Sequence, residues 1–137
     1  MEPSLQQLGQ AVKRLQWRHH REANRRLAEV GLSIAQWDVL RNLHERPEAS
    51  LHELAQLTFQ TDQSMGTLAS RMIERGLLER VASPGRAVRH RPTGEGERVR
   101  RAGASLMDEV LKETIGVLDS TDRAVLYRLL IAAAAGE

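Results

Sequence analysis

The stretch SLHELAQLTFQTDQSMGTLASRMIERGLLERVASPGRAVRHRPT, residues 50–93, decides the fold. Ser50 followed by Glu53 has the spacing of a capping box, in which the serine hydroxyl and the glutamate side chain each satisfy a free N–H of the first helical turn. It opens a short helix holding Leu51, Leu54, Ala55 and Leu57. After a tight turn Thr61 caps a second helix, which stops at Gly76, where a residue free to take a left-handed backbone can close the helix end. From Leu77 to Val81 and from Ala87 to Arg91 the pattern permits short strands, separated by the turn former Ser83-Pro84-Gly85. Two capped helices followed by an arginine-bearing hairpin describe a winged helix-turn-helix, a module whose second helix enters a DNA groove while the hairpin reaches the flanking backbone.

Outward from this stretch the chain reads as helices. Residues 3–29 carry Leu5, Leu8, Val12 and Leu15 at helical spacing, then an arginine-rich continuation through Arg18, Arg21, Arg25 and Arg26 to Leu27. Gly31 interrupts this first helix. Ser33 and Gln36 then repeat the capping-box spacing for a helix with Ile34, Trp37, Leu40 and Leu43 inward, ending near Pro47. Beyond the hairpin, Thr93 caps a long helix bearing Val99, Leu106, Val110 and Leu118, and Ser120 or Thr121 caps a last one with Val125, Leu126, Leu129 and Leu130. The predicted fold is mainly α with a small β-hairpin wing. A single domain, 1–137, has the winged helix-turn-helix over 33–93 and dimerisation helices over 1–32 and 94–137. The two outer helices, of about 27 and about 25 residues, would each run roughly 40 Å and overhang the central module. Their apolar stripes need a partner, and a second copy around a two-fold axis is the economical one, which predicts a homodimer. Leu129, Leu130, Ile131 and the alanines at 132–135 suit close helix packing there.

Composition narrows the classes. Hydrophobic residues make up 41% but aromatics only 3%, so aliphatic side chains must fill a core of helix packed on helix. With no cysteine, a disulfide framework, a thiolate metal site and a thiol switch are all excluded. No run approaches the roughly 18 to 20 apolar residues that cross a bilayer, and no signal-peptide pattern opens the chain, which predicts a cytoplasmic protein with no membrane partner. The net charge is only +2, yet 18 of the 20 basic residues are arginine, the side chain suited to forked contacts with phosphate and guanine. Arg80, Arg86, Arg89 and Arg91 fall in a segment without an acid, which sets a basic patch on the wing.

On the helix after the turn, burial of Met65, Leu68, Ala69 and Met72 leaves Gln63, Gly66, Thr67, Ser70 and Arg71 outward or flanking that face. Glutamine can bond N6 and N7 of adenine, threonine offers a hydroxyl to a base or a methyl to thymine, and Arg71 can reach guanine or phosphate. Gln63 and Thr67 are the candidates for base readout. Thr61 and Ser64 stand at the helix N-terminus, where hydroxyls serve either as caps or as phosphate ligands. Gly66 costs helix stability, and either close approach to DNA or close helix packing would account for it. Asp62 suits the helix dipole but repels phosphate, so its expected role is structural. On the wing, Arg86 and Arg89 are the expected minor-groove or backbone contacts, with Gly85 turning the tip; Arg91 ranks below them because strand alternation leaves its direction open.

Rival classes leave less in the sequence. An enzyme needs a convergent nucleophile, base and charge stabiliser, and none is found. The histidines His19, His20, His44, His52 and His90 are scattered and form no metal-ligand pattern, so neither metal nor cofactor is predicted. A metal-responsive regulator using His19 or His20 with Glu22 is one alternative. A helical dimer that binds protein, with the winged module as scaffold, is the other, but it has no need of Arg80, Arg86 and Arg89.

LSIAQWDVLRNL before the module, LHELAQLTFQTDQSM through the turn, LASRMIERGLLER into the wing and RPTGEGERV after it together resemble the multiple-antibiotic-resistance regulator (MarR) family of bacterial winged-helix transcription factors. The resemblance covers essentially the whole length. It implies a triangular homodimer built from terminal helices, two recognition helices in successive major grooves of a pseudo-palindromic operator, and a small-molecule effector, aromatic or anionic, that releases double-stranded DNA. It also implies an effector site where the dimerising helices meet the winged module, near Trp17, His20, Arg21, Trp37 and Arg41. Arginine there would pair with a carboxylate and tryptophan supply a flat wall, although Trp37 also reads as an ordinary core residue. A repressor is expected over an activator, because occupying an operator requires no further contact surface. Two departures from the family stand out: ASPGRAVRHR is short and lacks the acid that fixes many wings by a salt bridge, and Pro92 removes one backbone donor from the hairpin.

Overall fold

The structure, a computed structural model, describes residues 2–82, 85 and 88–136. Six α-helices and a two-stranded hairpin follow in the order α1 Leu5–Leu27, α2 Ile34–Glu45, α3 Leu51–Leu57, α4 Asp62–Glu74, β1 Leu78–Val81, β2 Arg89–Pro92, α5 Gly94–Glu113 and α6 Ser120–Ala134. The capping boxes at Ser33 and Ser50 are both complete, and Ser4 with Gln7 makes a third at the start of α1. Thr61 accepts the N–H of Ser64 and Thr93 that of Gly96, so α4 and α5 begin where the sequence places them. The last helix is capped differently from the expectation. Asp119, rather than Ser120 or Thr121, accepts the N–H of Asp122 at 2.8 Å, and a carboxylate there also suits the positive end of the helix dipole.

The core is aliphatic, as the composition requires. Leu40 and Leu43 of α2, Leu54 of α3, Met65 and Met72 of α4 and Leu78 of β1 are fully buried, with Leu27 of α1 and Val99 of α5 closing the sides. Trp37 is the one aromatic residue in it among the described residues. Its indole lies over Gly103 of α5, where an added Cβ would come within 2.6 Å of the ring, and its N–H donates to the carbonyl of Arg100 at 3.2 Å. Close approach of α2 and α5 thus depends on a missing side chain. The first turn of α5 sits similarly against the hairpin: a Cβ on Gly96 would stand 2.2 Å from the carbonyl oxygen of Leu77.

Three helical ends close by the same turn, in which an N–H reaches back over a left-handed residue to a carbonyl five positions earlier. Leu32 bonds Leu27 over Gly31 at φ +77, Leu77 bonds Met72 over Gly76 at φ +74, and Gln60 bonds Ala55 over Phe59 at φ +57. The first of these shortens the expected first helix. α1 stops at Leu27 and Ala28–Val30 winds as a tighter 3-10 turn into Gly31. The helix after the hairpin is also shorter than expected. The hydroxyl of Thr114 donates to the carbonyl of Val110 at 2.9 Å and the backbone leaves the helix there, so Leu118 falls after a 3-10 turn at Ile115–Val117 instead of on α5.

α1 and α5 pack along one another and are clasped at one end. Arg26 bonds Glu113 and reaches Glu109 at 3.6 Å, while His19 Nε2 lies 2.7 Å from Thr114 Oγ1. Burial, and secondly the neighbouring Arg18, lowers the pKa of His19 below the usual histidine value. The N-terminal half of α1 and most of α6 are uncovered. Leu5, Leu8 and Val12 of α1 are exposed, and α6 buries none of its residues, leaving Val125, Leu129, Leu130 and Ile131 in the open.

Candidate nucleic-acid interface

α4 separates its two faces cleanly. Met65, Ala69 and Met72 are buried and Leu68 packs half-buried beside them, while Gln63, Thr67, Ser70 and Arg71 are exposed on the other side. The first turn is held from both ends: Thr61 caps it, and His52 of α3 bonds the carboxylate of Asp62 at 2.9 Å. Asp62 therefore has a structural partner, and the hydroxyl of Thr61 is used as a cap. Ser64 stays exposed, with its N–H bound to Thr61. Thr67 donates its hydroxyl to the carbonyl of Gln63 at 3.1 Å, which leaves its methyl outward and free for an apolar contact. Gln60, Gln63, Ser64, Thr67 and Arg71 line a shallow groove of about 370 Å³, with Ala35 of α2 on its far wall. A Cβ on Gly66 would meet nothing within 4 Å, so close packing inside the molecule does not explain this mid-helix glycine.

The hairpin follows directly on α4 and packs against it. Its antiparallel register sets Leu78 opposite Pro92, Glu79 opposite Arg91, Arg80 opposite His90 and Val81 opposite Arg89. Strand β2 thus begins at Arg89, two residues later than expected, and Pro92 sits at the closed base, where its missing N–H interrupts no later rung. Arg91 bonds Glu79 across the strands at 2.5 Å, and Arg89 lies 3.8 Å from the well-exposed Glu48 between α2 and α3. Wing-fixing acids do exist, then, on the neighbouring strand and loop rather than at the tip. This pairing orients Arg91 along the sheet and leaves Arg89 held only by a loose, solvent-screened partner. His90 is buried, and that burial, with Arg80 second, lowers its pKa, so it packs inward as a neutral ring. Gly85 takes φ +72, as a turning residue should. Arg86, the other expected wing contact, lies outside the described residues, as do Ser83, Pro84 and Ala87.

The residues expected near an effector fall in two groups, Trp17, His20 and Arg21 on α1 and Trp37 and Arg41 on α2. Trp17 is 61% exposed on α1 and stacks on His20 with ring centroids 6.3 Å apart, and His20 in turn bonds Asn24 at 3.0 Å. Arg21 is exposed beside them. Trp37 is 8% exposed, in the core, and the Arg41 guanidinium lies 5.6 Å over its ring while bonding Glu45 at 3.3 Å. No group of three or more His, Asp or Glu side chains is arranged for a metal ion among the described residues. Nor is any helix of theirs long and apolar enough to cross a membrane.

Helices α3 and α4, the hairpin and a polar outward face define the class: a winged helix-turn-helix protein. A family model described as the MarR family matches residues 30–87. The PcaV transcriptional regulator from Streptomyces coelicolor, solved with its natural ligand, is 26% identical, with 99% of each chain covered and a TM-score of 0.81. A mutant MarR from E. coli complexed with operator DNA is 20% identical over 93% of each chain, with a TM-score of 0.84. BpsR from Bordetella bronchiseptica, whose DNA binding is regulated by 6-hydroxynicotinic acid, is 22% identical over 93% of this chain and 98% of that one, with a TM-score of 0.83. No curated protein matches the sequence. The chain resembles the MarR family over residues 30–87 and shares the fold of these transcription regulators over nearly its whole length.

Proposed function

We propose that the protein is a cytoplasmic, sequence-specific transcriptional regulator that binds a pseudo-palindromic operator in double-stranded DNA as a homodimer. The observation that carries this reading is the exposed polar face of α4, with Gln63, Thr67 and Arg71 set on a buried methionine stripe beside a basic hairpin. Gln63 and Thr67 read bases and Arg71 takes a guanine or a phosphate, while Ser64, Ser70 and the backbone at Gly66 lie close to the groove. The N–H groups around Thr61 face a phosphate, and Arg86 and Arg89, with Gly85 between the strands, meet the backbone flanking the site. The second copy covers Leu5, Leu8 and Val12 of α1 and the apolar side chains of α6. The regulator represses, and an aromatic or anionic effector releases it; Trp17, His20 and Arg21 bound its site on α1, with Trp37 and Arg41 on the α2 side.

Selection from random duplex DNA tests the whole reading, with the winner measured against a scrambled duplex at two salt concentrations. The expected product is a two-fold symmetric sequence with half-site centres about 10 bp apart. No enrichment, together with weak binding that vanishes at moderate salt, would reduce the protein to a basic surface.

Gly66→Ala separates the two explanations of the glycine. Alanine there is expected to stabilise the helix by about 0.5–1 kcal/mol in urea unfolding, since nothing inside the molecule obstructs the methyl. The same substitution is expected to weaken binding to the selected duplex. Unchanged affinity would show that the DNA does not approach this part of the backbone.

A further inference from the structure

We propose that Phe59 is a DNA contact, an apolar specificity-determining residue whose ring packs on the methyl group of a thymine at the lip of the groove; this rests on the DNA-binding reading above. Its backbone is the first reason. Phe59 is the left-handed residue of the turn that ends α3, with its N–H 3.3 Å from the carbonyl of Gln56 and the next N–H 2.8 Å from that of Ala55. The turns at Gly31 and Gly76 use glycine at the same position, and Phe59 is the only described non-glycine residue with a positive φ. The left-handed conformation pushes a Cβ towards the following carbonyl, so any L side chain there opposes folding. Packing often offsets such a penalty, but the Phe59 ring is 92% exposed. Within the fold, glycine would serve better.

Location supplies the second reason. Phe59 precedes by two residues the cap of α4, and its neighbour Gln60 lines the same groove as Gln63, Ser64, Thr67 and Arg71. In a helix-turn-helix the N-terminal part of the second helix is the part that meets base edges. What the major groove offers an apolar side chain is the 5-methyl of thymine. A second copy of the chain is the poorer occupant. The apolar surface that awaits one lies on α1 and α6, whereas Phe59 stands alone among Gln56, Thr58, Gln60 and Thr61, a surrounding that fits the mixed chemistry of a groove.

The test uses the full chain and the duplex selected by the wild type, with each thymine replaced in turn by deoxyuridine, which lacks only the methyl. Phe59→Gly is expected to raise the thermal midpoint, because the turn is relieved, and to weaken binding by about tenfold. One deoxyuridine position is expected to weaken the wild type by a similar factor and to leave Phe59→Gly unaffected. A wild type that selects a duplex while Phe59→Gly binds it equally well would overturn the contact and leave the DNA reading intact. So would a variant that is weakened but keeps the wild-type sensitivity at every thymine. A wild type that selects no duplex would overturn both.

Discussion

Replacing Gly96 by alanine is expected to lower the thermal midpoint by roughly 10 °C, the equivalent of about 3 kcal/mol for a domain of this size. The added Cβ would stand 2.2 Å from the carbonyl oxygen of Leu77 and 3.3 Å from the Cβ of Pro92. Neither neighbour can yield easily. The Leu77 oxygen already accepts the N–H of Thr93 at 3.1 Å, the Leu77 N–H closes α4, and Pro92 is fixed by its own ring at the base of the hairpin. Relief requires α5 to lift from the hairpin, which loosens the wing and should also impair DNA binding. Gly94→Ala, in the same helical turn but with nothing within 4 Å of its Cβ, is the control and should melt near the wild type. Equal melting of the two variants would mean that the α5 start relaxes freely.

The second large effect is on binding alone. A variant combining Gln63→Ala, Thr67→Ala and Arg71→Ala is expected to lose at least about a hundredfold in affinity for the selected duplex, since good base contacts contribute about 1–3 kcal/mol each. All three side chains are exposed, so unfolding should change by no more than about 0.5 kcal/mol. Arg71→Ala by itself distinguishes two roles for this side chain. A phosphate contact would weaken every sequence alike and reduce the slope of log affinity against log salt by about one, whereas a guanine contact would relax the preference at a single position. Anisotropy titrations over several salt concentrations read both. Near-wild-type affinity in the triple variant would remove the outward face of α4 from recognition.

What was legible in the sequence is what neighbours along the chain decide. Ser33 with Gln36, Ser50 with Glu53, and the Met65–Met72 stripe are contacts over three or four positions, and all formed as read. The family resemblance rested on these same segments. The end of α5 was missed because Val110 and Leu118 keep helical spacing straight through it, while the backbone leaves the helix at Thr114, whose hydroxyl returns to the carbonyl of Val110. Contacts between distant segments carry no local signal. Glycines 96 and 103 look alike in sequence, and only the approach of Leu77 and of Trp37 shows why each lacks a side chain. The candidate site divides in the same way. The outward residues of α4 follow from periodicity, but the pairing of Arg91 with Glu79 and the inward turn of His90 depend on the hairpin register. Phe59 passed unnoticed because a positive φ at a phenylalanine has no mark in the sequence.

The peptide of Leu77 joins three parts of the molecule. Its N–H ends α4, its oxygen receives Thr93 at the foot of the hairpin, and the first turn of α5 rests on it at Gly96. Helices α4 and α5 are therefore keyed to one link, like two arms fixed on a single axle. Neither can swivel alone. The direction in which α5 leaves the module follows the direction in which α4 points.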